Sequence, residues 1–315
     1  MKRLLINCAV FALIVVAIIG ILNRNYYPLQ VPDNDNFMAA MIDKHRFAEQ
    51  LKSPRIIFCG GSNLPFGINS QQVSASTGLP VVNLGLHAGL GLDFMLNEVK
   101  QTAKPSDIII ISSEYFLPVD GSHRMKKLVE RIFPPAGNYF KPTLRQCLND
   151  YFIEDLQNNL PNTIAGLKGA QRKPITQSVY ARSSYNEYGD VVRNFEPNPP
   201  HDFLNNYKMD YAYYPGITVL NNFKAYADEK HIRVYFLYPS FPESLYRSKT
   251  KVIEKLASDL DQDLYIQILN KPIDSVFPDS LFYNTEYHLN PEGRALRTKR
   301  LLPILNALKI KAVSN

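Results

Sequence analysis

The sequence predicts an α/β fold: a doubly wound parallel sheet of about five strands, with a helical and loop insertion after the third strand and one transmembrane helix in front. Three observations carry this. Short, wholly apolar runs such as Ile56-Ile57-Phe58-Cys59 and Ile108-Ile109-Ile110-Ile111 have the length of strands buried on both faces. Segments of helical period separate them, which is the rhythm of βαβ units and a parallel sheet. That rhythm stops at Leu117 and resumes only at Gly216, and a gap of that length is too long for a plain loop.

The chain starts with Met1-Lys2-Arg3 and an apolar run from Leu4 to Leu22, interrupted in polarity only by Asn7. As a helix this run would be about 28 Å long, close to a hydrocarbon core of about 30 Å. It exceeds the usual signal-peptide core and lacks a small-x-small cleavage site before Asn23. The expectation is therefore a single-pass signal anchor over 1–22, with the N-terminus cytoplasmic and the rest extracytoplasmic, periplasmic or on the cell surface. Residues 23–36 read as a linker, and 37–315 as the α/β domain with a cap over about 117–215.

Within that domain, Phe37 to Leu51 is expected to be helical, followed by a first strand over Arg55–Cys59 and a short helix over Ile68–Thr77. A second strand is read from Leu79 to Gly85. Gly89 and Gly91 then open a helix running to about Ala103, and a third strand follows Asp107. In the insertion, Met125–Ile132 and Leu144–Leu160 look helical, while Ser183–Asp190 is either a packed loop or the lining of a sugar subsite. After Gly216 come a helix, a fourth strand over Ile232–Tyr238, a helix over Lys251–Leu260 and a fifth strand over Leu264–Leu269. Asn290 caps the last helix, Pro291 takes its first position, and Leu301, Leu305 and Leu308 form its buried face.

A formal charge of +6 over 315 residues, without a dense basic block, gives no reason to expect nucleic-acid binding. The three cysteines, Cys8, Cys59 and Cys147, do not suggest a disulfide framework, and Cys59 reads as a small buried apolar residue. His45, His123, His201 and His231 look like surface or loop residues. No metal-ligand spacing appears, and neither a metal nor another cofactor is expected.

The chemistry is expected where the first strand ends. Gly60-Gly61 permits a sharp turn that lifts Ser62 above the sheet edge. A serine in that position is a nucleophile if a histidine reaches it, and His288 stands before a capped helix at the same sheet edge. Gly61-Ser62-Asn63, Asn83-Leu84-Gly85-Leu86-His87-Ala88-Gly89 and His288-Leu289-Asn290-Pro291-Glu292-Gly293 resemble, in order and spacing, blocks of the SGNH (GDSL-like) hydrolase superfamily. More narrowly, the chain looks like the membrane-anchored members associated with polysaccharide and cell-wall O-acylation.

The resemblance implies a flavodoxin-like sheet and an acyl-enzyme mechanism. Ser62 would be the nucleophile and His288 the general base, with the amides of Ser62 and Gly89, or else Gly85, as oxyanion donors. It also implies a carbohydrate or acylated-glycan substrate and a membrane-bound O-acyltransferase as partner. Three positions depart from the family pattern. Gly61 stands where an aspartate is usual, and Ser112-Ser113-Glu114 stands where an asparagine donor is expected. The acid that would orient His288 is replaced by Asn284, for which Glu286, Asp279 or Glu114 are substitutes. Asn63, His87, Glu114 and Glu286 are further pocket candidates. These departures also leave room for a catalytically impaired form that binds glycan or scaffolds an assembly.

Overall fold

The strands of the main sheet are short, and all run parallel. In the computed structural model, which describes residues 2–26, 35–149, 164, 178–193, 195, 202–204 and 207–313, the strands are β1 (Ile56–Gly60), β2 (Val81–Asn83), β3 (Ile108–Ser112), β4 (Arg233–Phe236), β5 (Phe241–Pro242), β6 (Gln267–Ile268) and β7 (Val276–Phe277). The main sheet has the order β2-β1-β3-β4-β6, and β5 pairs with β7 in a separate two-stranded sheet. β1 is central, with Ile56 opposite Val81 on one side and opposite Ile108 on the other.

Successive side chains of a strand leave opposite faces of the sheet, and the two cores divide that way. Ile57, Cys59, Val82, Ile109, Ile111, Val234 and Phe236 face one layer, packed with residues of the helices Ala40–Gln50, Leu92–Thr102 and Gly216–Glu229. Ile56, Phe58, Val81, Ile108, Ile110 and Tyr235 face the other, against Val73 of the helix Ser70–Thr77 and Leu301, Leu305 and Leu308 of the helix Pro291–Val313. The sheet is thus covered on both faces, as a parallel sheet requires.

The chain divides into two compact units, one of Met1–Asn36 with Lys141–Thr176, the other of Phe37–Phe140 with Gln177–Asn315. The first contains the helices Lys2–Tyr26 and Leu144–Asn149. The helix Lys2–Tyr26 forms over the apolar N-terminal run. Among the described residues, however, no helix is long and apolar enough to cross a membrane. This overturns both the expected transmembrane helix and the single-pass placement built on it. Most of the expected linker, the far end of the expected helix Leu144–Leu160, and His201 lie outside the described residues.

In the second unit, parts of the expected cap join the main core, among them Leu117, Val129, Tyr139, Val179, Val191 and Tyr214. Ser183–Asp190 is a packed loop rather than an open lining. Ser184 is buried, the Tyr185 ring lies near Phe37, and Asp190 Oδ1 accepts from Ser70 Oγ and Asn83 Nδ2. His45, expected at the surface, is instead buried and paired with Glu98 at 2.9 Å. Its ring also stacks on Phe133.

Candidate functional site

The site lies over the carboxyl end of β1, between β2 and β3, where connections leave in opposite directions and doubly wound sheets hold their ligands. β1 ends at Gly60, whose missing side chain lets the strand lie against the Ser112 carbonyl of β3. Ser62 follows at φ −69° and ψ −16°, already helical, and begins the short helix Asn63–Gly67. The side chain of Asn63 turns down into the sheet. Its Nδ2 donates to the Ser112 carbonyl, its Oδ1 accepts from Ser112 Oγ, and its own carbonyl accepts from the buried Arg297. Asn63 therefore braces the turn and is not a pocket-lining residue.

His288 comes from a loop that an isolated antiparallel bridge between Phe282 and Leu289 closes. Tyr283 N–H donates to the His288 carbonyl and Asn290 N–H to the Leu281 carbonyl. Asn290 Oδ1 then accepts from Gly293 N–H, which caps the last helix as expected. This closure brings Asn284 and His288 to the same side of the loop.

Ser62 Oγ lies 2.8 Å from His288 Nε2, and Asn284 Oδ1 lies 2.9 Å from His288 Nδ1. Since Asn284 Oδ1 can only accept, Nδ1 carries the hydrogen and Nε2 is free to accept from the serine hydroxyl. The imidazole is buried, and that desolvation, with a smaller contribution from His87, pushes its pKa from 6.5 down to about 3. The ring is therefore neutral across the physiological range.

Two residues that sequence reasoning missed complete the surroundings of His288. Phe66 stacks on the imidazole, with centroids 4.0 Å apart and planes 7° from parallel. It lies one helical turn after Ser62, its amide donating to the Ser62 carbonyl, so a helix beginning at Ser62 would have signalled it. Tyr180, from the inserted segment, places its hydroxyl 3.2 Å from His288 Nδ1 and accepts from Asn284 Nδ2 at 2.7 Å. No local sequence signal marks it.

The other candidates are placed as follows. The amide of Gly89 donates to His87 Nδ1 at 2.9 Å, and that of Gly85 to Asn83 Oδ1 at 3.1 Å. Both glycine amides expected at the oxyanion hole thus already have acceptors, and Gly89 is released only if the His87 ring turns away. His87 is half-buried and its pKa is lowered by that burial.

Glu114 is buried beneath the Ser62 turn, where Oε1 accepts from Asn63 N–H at 3.2 Å and Oε2 has no partner. Burial raises its pKa against the opposing pull of backbone donors and Arg297. Asp279 Oδ1 is engaged by the Ser244 amide. Burial also raises the pKa of Glu286, and among the described residues no carboxylate forms an ion pair with His288. Cys59 is buried, its thiol pushed well above the ordinary range by desolvation.

No protein-family model matches the chain, and no curated protein matches it either.

Proposed function

We propose that this protein is a serine esterase or O-acyltransferase of SGNH type that acts on O-acyl groups, above all O-acetyl, of a polysaccharide through a Ser62 acyl-enzyme. The observation that carries this reading is the hydrogen bond of 2.8 Å between Ser62 Oγ and His288 Nε2, with Nδ1 held by Asn284.

Ser62 Oγ attacks the ester carbonyl as its proton passes to Nε2, giving a tetrahedral oxyanion and an imidazolium. The Ser62 amide is the donor for that oxyanion, joined by that of Gly89 once the His87 ring turns away, each well-placed one contributing about 3 kcal/mol. Collapse breaks the ester C–O bond, and the imidazolium returns the proton to the departing sugar oxygen. Water or a second sugar hydroxyl then attacks the acyl-serine, with His288 again taking the proton. Asn284 orients the ring but carries no charge to offset the imidazolium, so turnover is expected to be slow. A membrane-bound O-acyltransferase supplying the acyl group is part of the proposal only on the strength of the resemblance.

The test is release of acetate from a model acetyl ester by the full chain, its Ser62→Ala form and its His288→Gln form. Activity lost in both variants supports the reading, and activity retained in Ser62→Ala rejects it.

A second reading has specific support. The neutral Asn284 and the occupied amides of Gly85 and Gly89 also suit a protein that keeps the fold to bind glycan or scaffold an acylation assembly without turning over. Glycan binding that persists in Ser62→Ala, with no turnover in the parent chain, would favour it.

A further inference from the structure

We infer that His87 is an acid-released gate on the Gly89 amide: the neutral ring holds that amide, and protonation of the ring frees it for the oxyanion. The inference deepens the acyl-transfer reading and rests on it for its catalytic consequence.

The gate is built from a helix cap. His87 is the N-cap of the short 3-10 helix Ala88–Leu90, and its Nδ1 accepts from Gly89 N–H at 2.9 Å. Capping side chains ordinarily hold such an amide through an oxygen, and a hydroxyl or amide oxygen accepts at any ordinary pH. An imidazole accepts only while one nitrogen is bare. Once protonated it has two N–H donors and no acceptor, so no orientation of the ring can keep the Gly89 hydrogen. The ring and Met125 Sδ together fill the space that a side chain at position 89 would need. The ring also stands close enough to the site for its charge to depress the basicity of His288.

The groups around His87 leave the switch to its own titration. Lys126, on the helix that carries Met125, pairs with Asp93 at 2.9 Å, and His123 of that helix packs on Phe140. Arg124 and Asp120 are exposed. The loop of His288 adds Glu286, which is partly buried. Lys44 donates to the nearby Gly85 carbonyl, and burial lowers its pKa to about 7. Burial lowers the pKa of the half-buried His87 from 6.5, and that of the more deeply buried His288 to about 3. As pH falls, His87 therefore gains its proton first and releases Gly89 while His288 is still a base. Below 6.5 the chain thus has a range in which the base and the second oxyanion donor are both available.

The experiment measures kcat/KM on a model acetyl ester from about pH 8 to about pH 4 for the full chain, His87→Ala and His87→Asn. Amide 15N–1H spectra follow Gly89 over the same range. Asparagine is a strong N-cap whose oxygen does not titrate. In the parent, kcat/KM is expected to rise about two- to tenfold as pH falls through the His87 titration, the worth of one hydrogen bond. His87→Ala is expected to lack that step and to hold the parent's acid value at neutral pH, despite the lost cap. His87→Asn is expected to lack it too and to stay at the parent's neutral value. Capping alone would give no step in the parent and no gain in His87→Ala. A step that persists in both variants belongs to another group, such as Lys44, and overturns the inference. So does a His87→Ala form no faster than the parent at neutral pH. If His87→Ala does not fold, His87→Asn decides, since the step must vanish there. Absence of ester hydrolysis in all three forms at every pH rejects the acyl-transfer reading instead. The Gly89 amide shift, expected to follow the His87 titration in the parent and to stay constant in His87→Asn, then decides by itself whether the amide is released.

Discussion

A side chain at position 61 would overlap both carboxylate oxygens of Glu114. The glycine before Ser62 and the glutamate after β3 therefore form one unit: the acid occupies the space that a side chain in the turn would need. Gly61 and Glu114 thus share one space and are best altered together. Gly61→Ala is expected to destabilise the fold by about 1–3 kcal/mol through overpacking. Combining it with Glu114→Ala should recover part of that loss. Urea midpoints of the two single variants and the double variant measure the coupling.

Glu114 also gives a pH dependence with a definite sign. Its pKa is raised from 4.5 by burial, so the folded chain keeps a proton that the unfolded chain has lost. Its contribution to stability is full below about pH 4.5 and is lost as pH rises through the higher folded value. Glu114→Gln removes the charge while keeping the shape. The melting temperature of that variant relative to the parent is therefore expected to improve as pH rises from 4.5.

His288 behaves in the opposite way. With its pKa lowered to about 3 by desolvation, the base form persists well below the usual histidine range. The acid limb of kcat/KM for a model ester is expected to break below pH 5 rather than near the ordinary value of about 6.5. A break near 6.5 would show that the imidazole is solvated in the working enzyme.

Lys44 ties the inserted segment to the end of β2. Its buried ammonium donates to the carbonyls of Asn83, Gly85 and Gly189, and desolvation lowers its pKa to about 7. Lys44→Met leaves three buried acceptors without a donor, each worth about 1–3 kcal/mol. A loss of at least 3 kcal/mol in thermal or urea unfolding is expected, together with faster proteolysis within 178–193.

Much of this was readable from the chain. The buried strands β1 and β3 and the helix cap at Asn290 are local, strong patterns, and Ser62 and His288 follow from where those patterns end. The edge was harder. A strand was expected over Leu264–Leu269, yet only Gln267–Ile268 pair. The helix expected from Lys251 starts eight residues earlier, at Glu243, directly after Pro242, because a proline costs a helix nothing at its entrance. Phe66 was hidden because Leu64-Pro65-Phe66-Gly67 reads as a turn. Tyr180 lies 104 residues from Asn284, and no periodicity reports a contact over that distance.

The most direct measurement is peptide mapping by mass spectrometry after the full chain reacts with a fluorophosphonate probe. The expected result is a single phosphonyl adduct on Ser62, absent from both Ser62→Ala and His288→Gln. Folded protein that carries no adduct, or carries one on a different serine, would contradict a hydroxyl activated by His288.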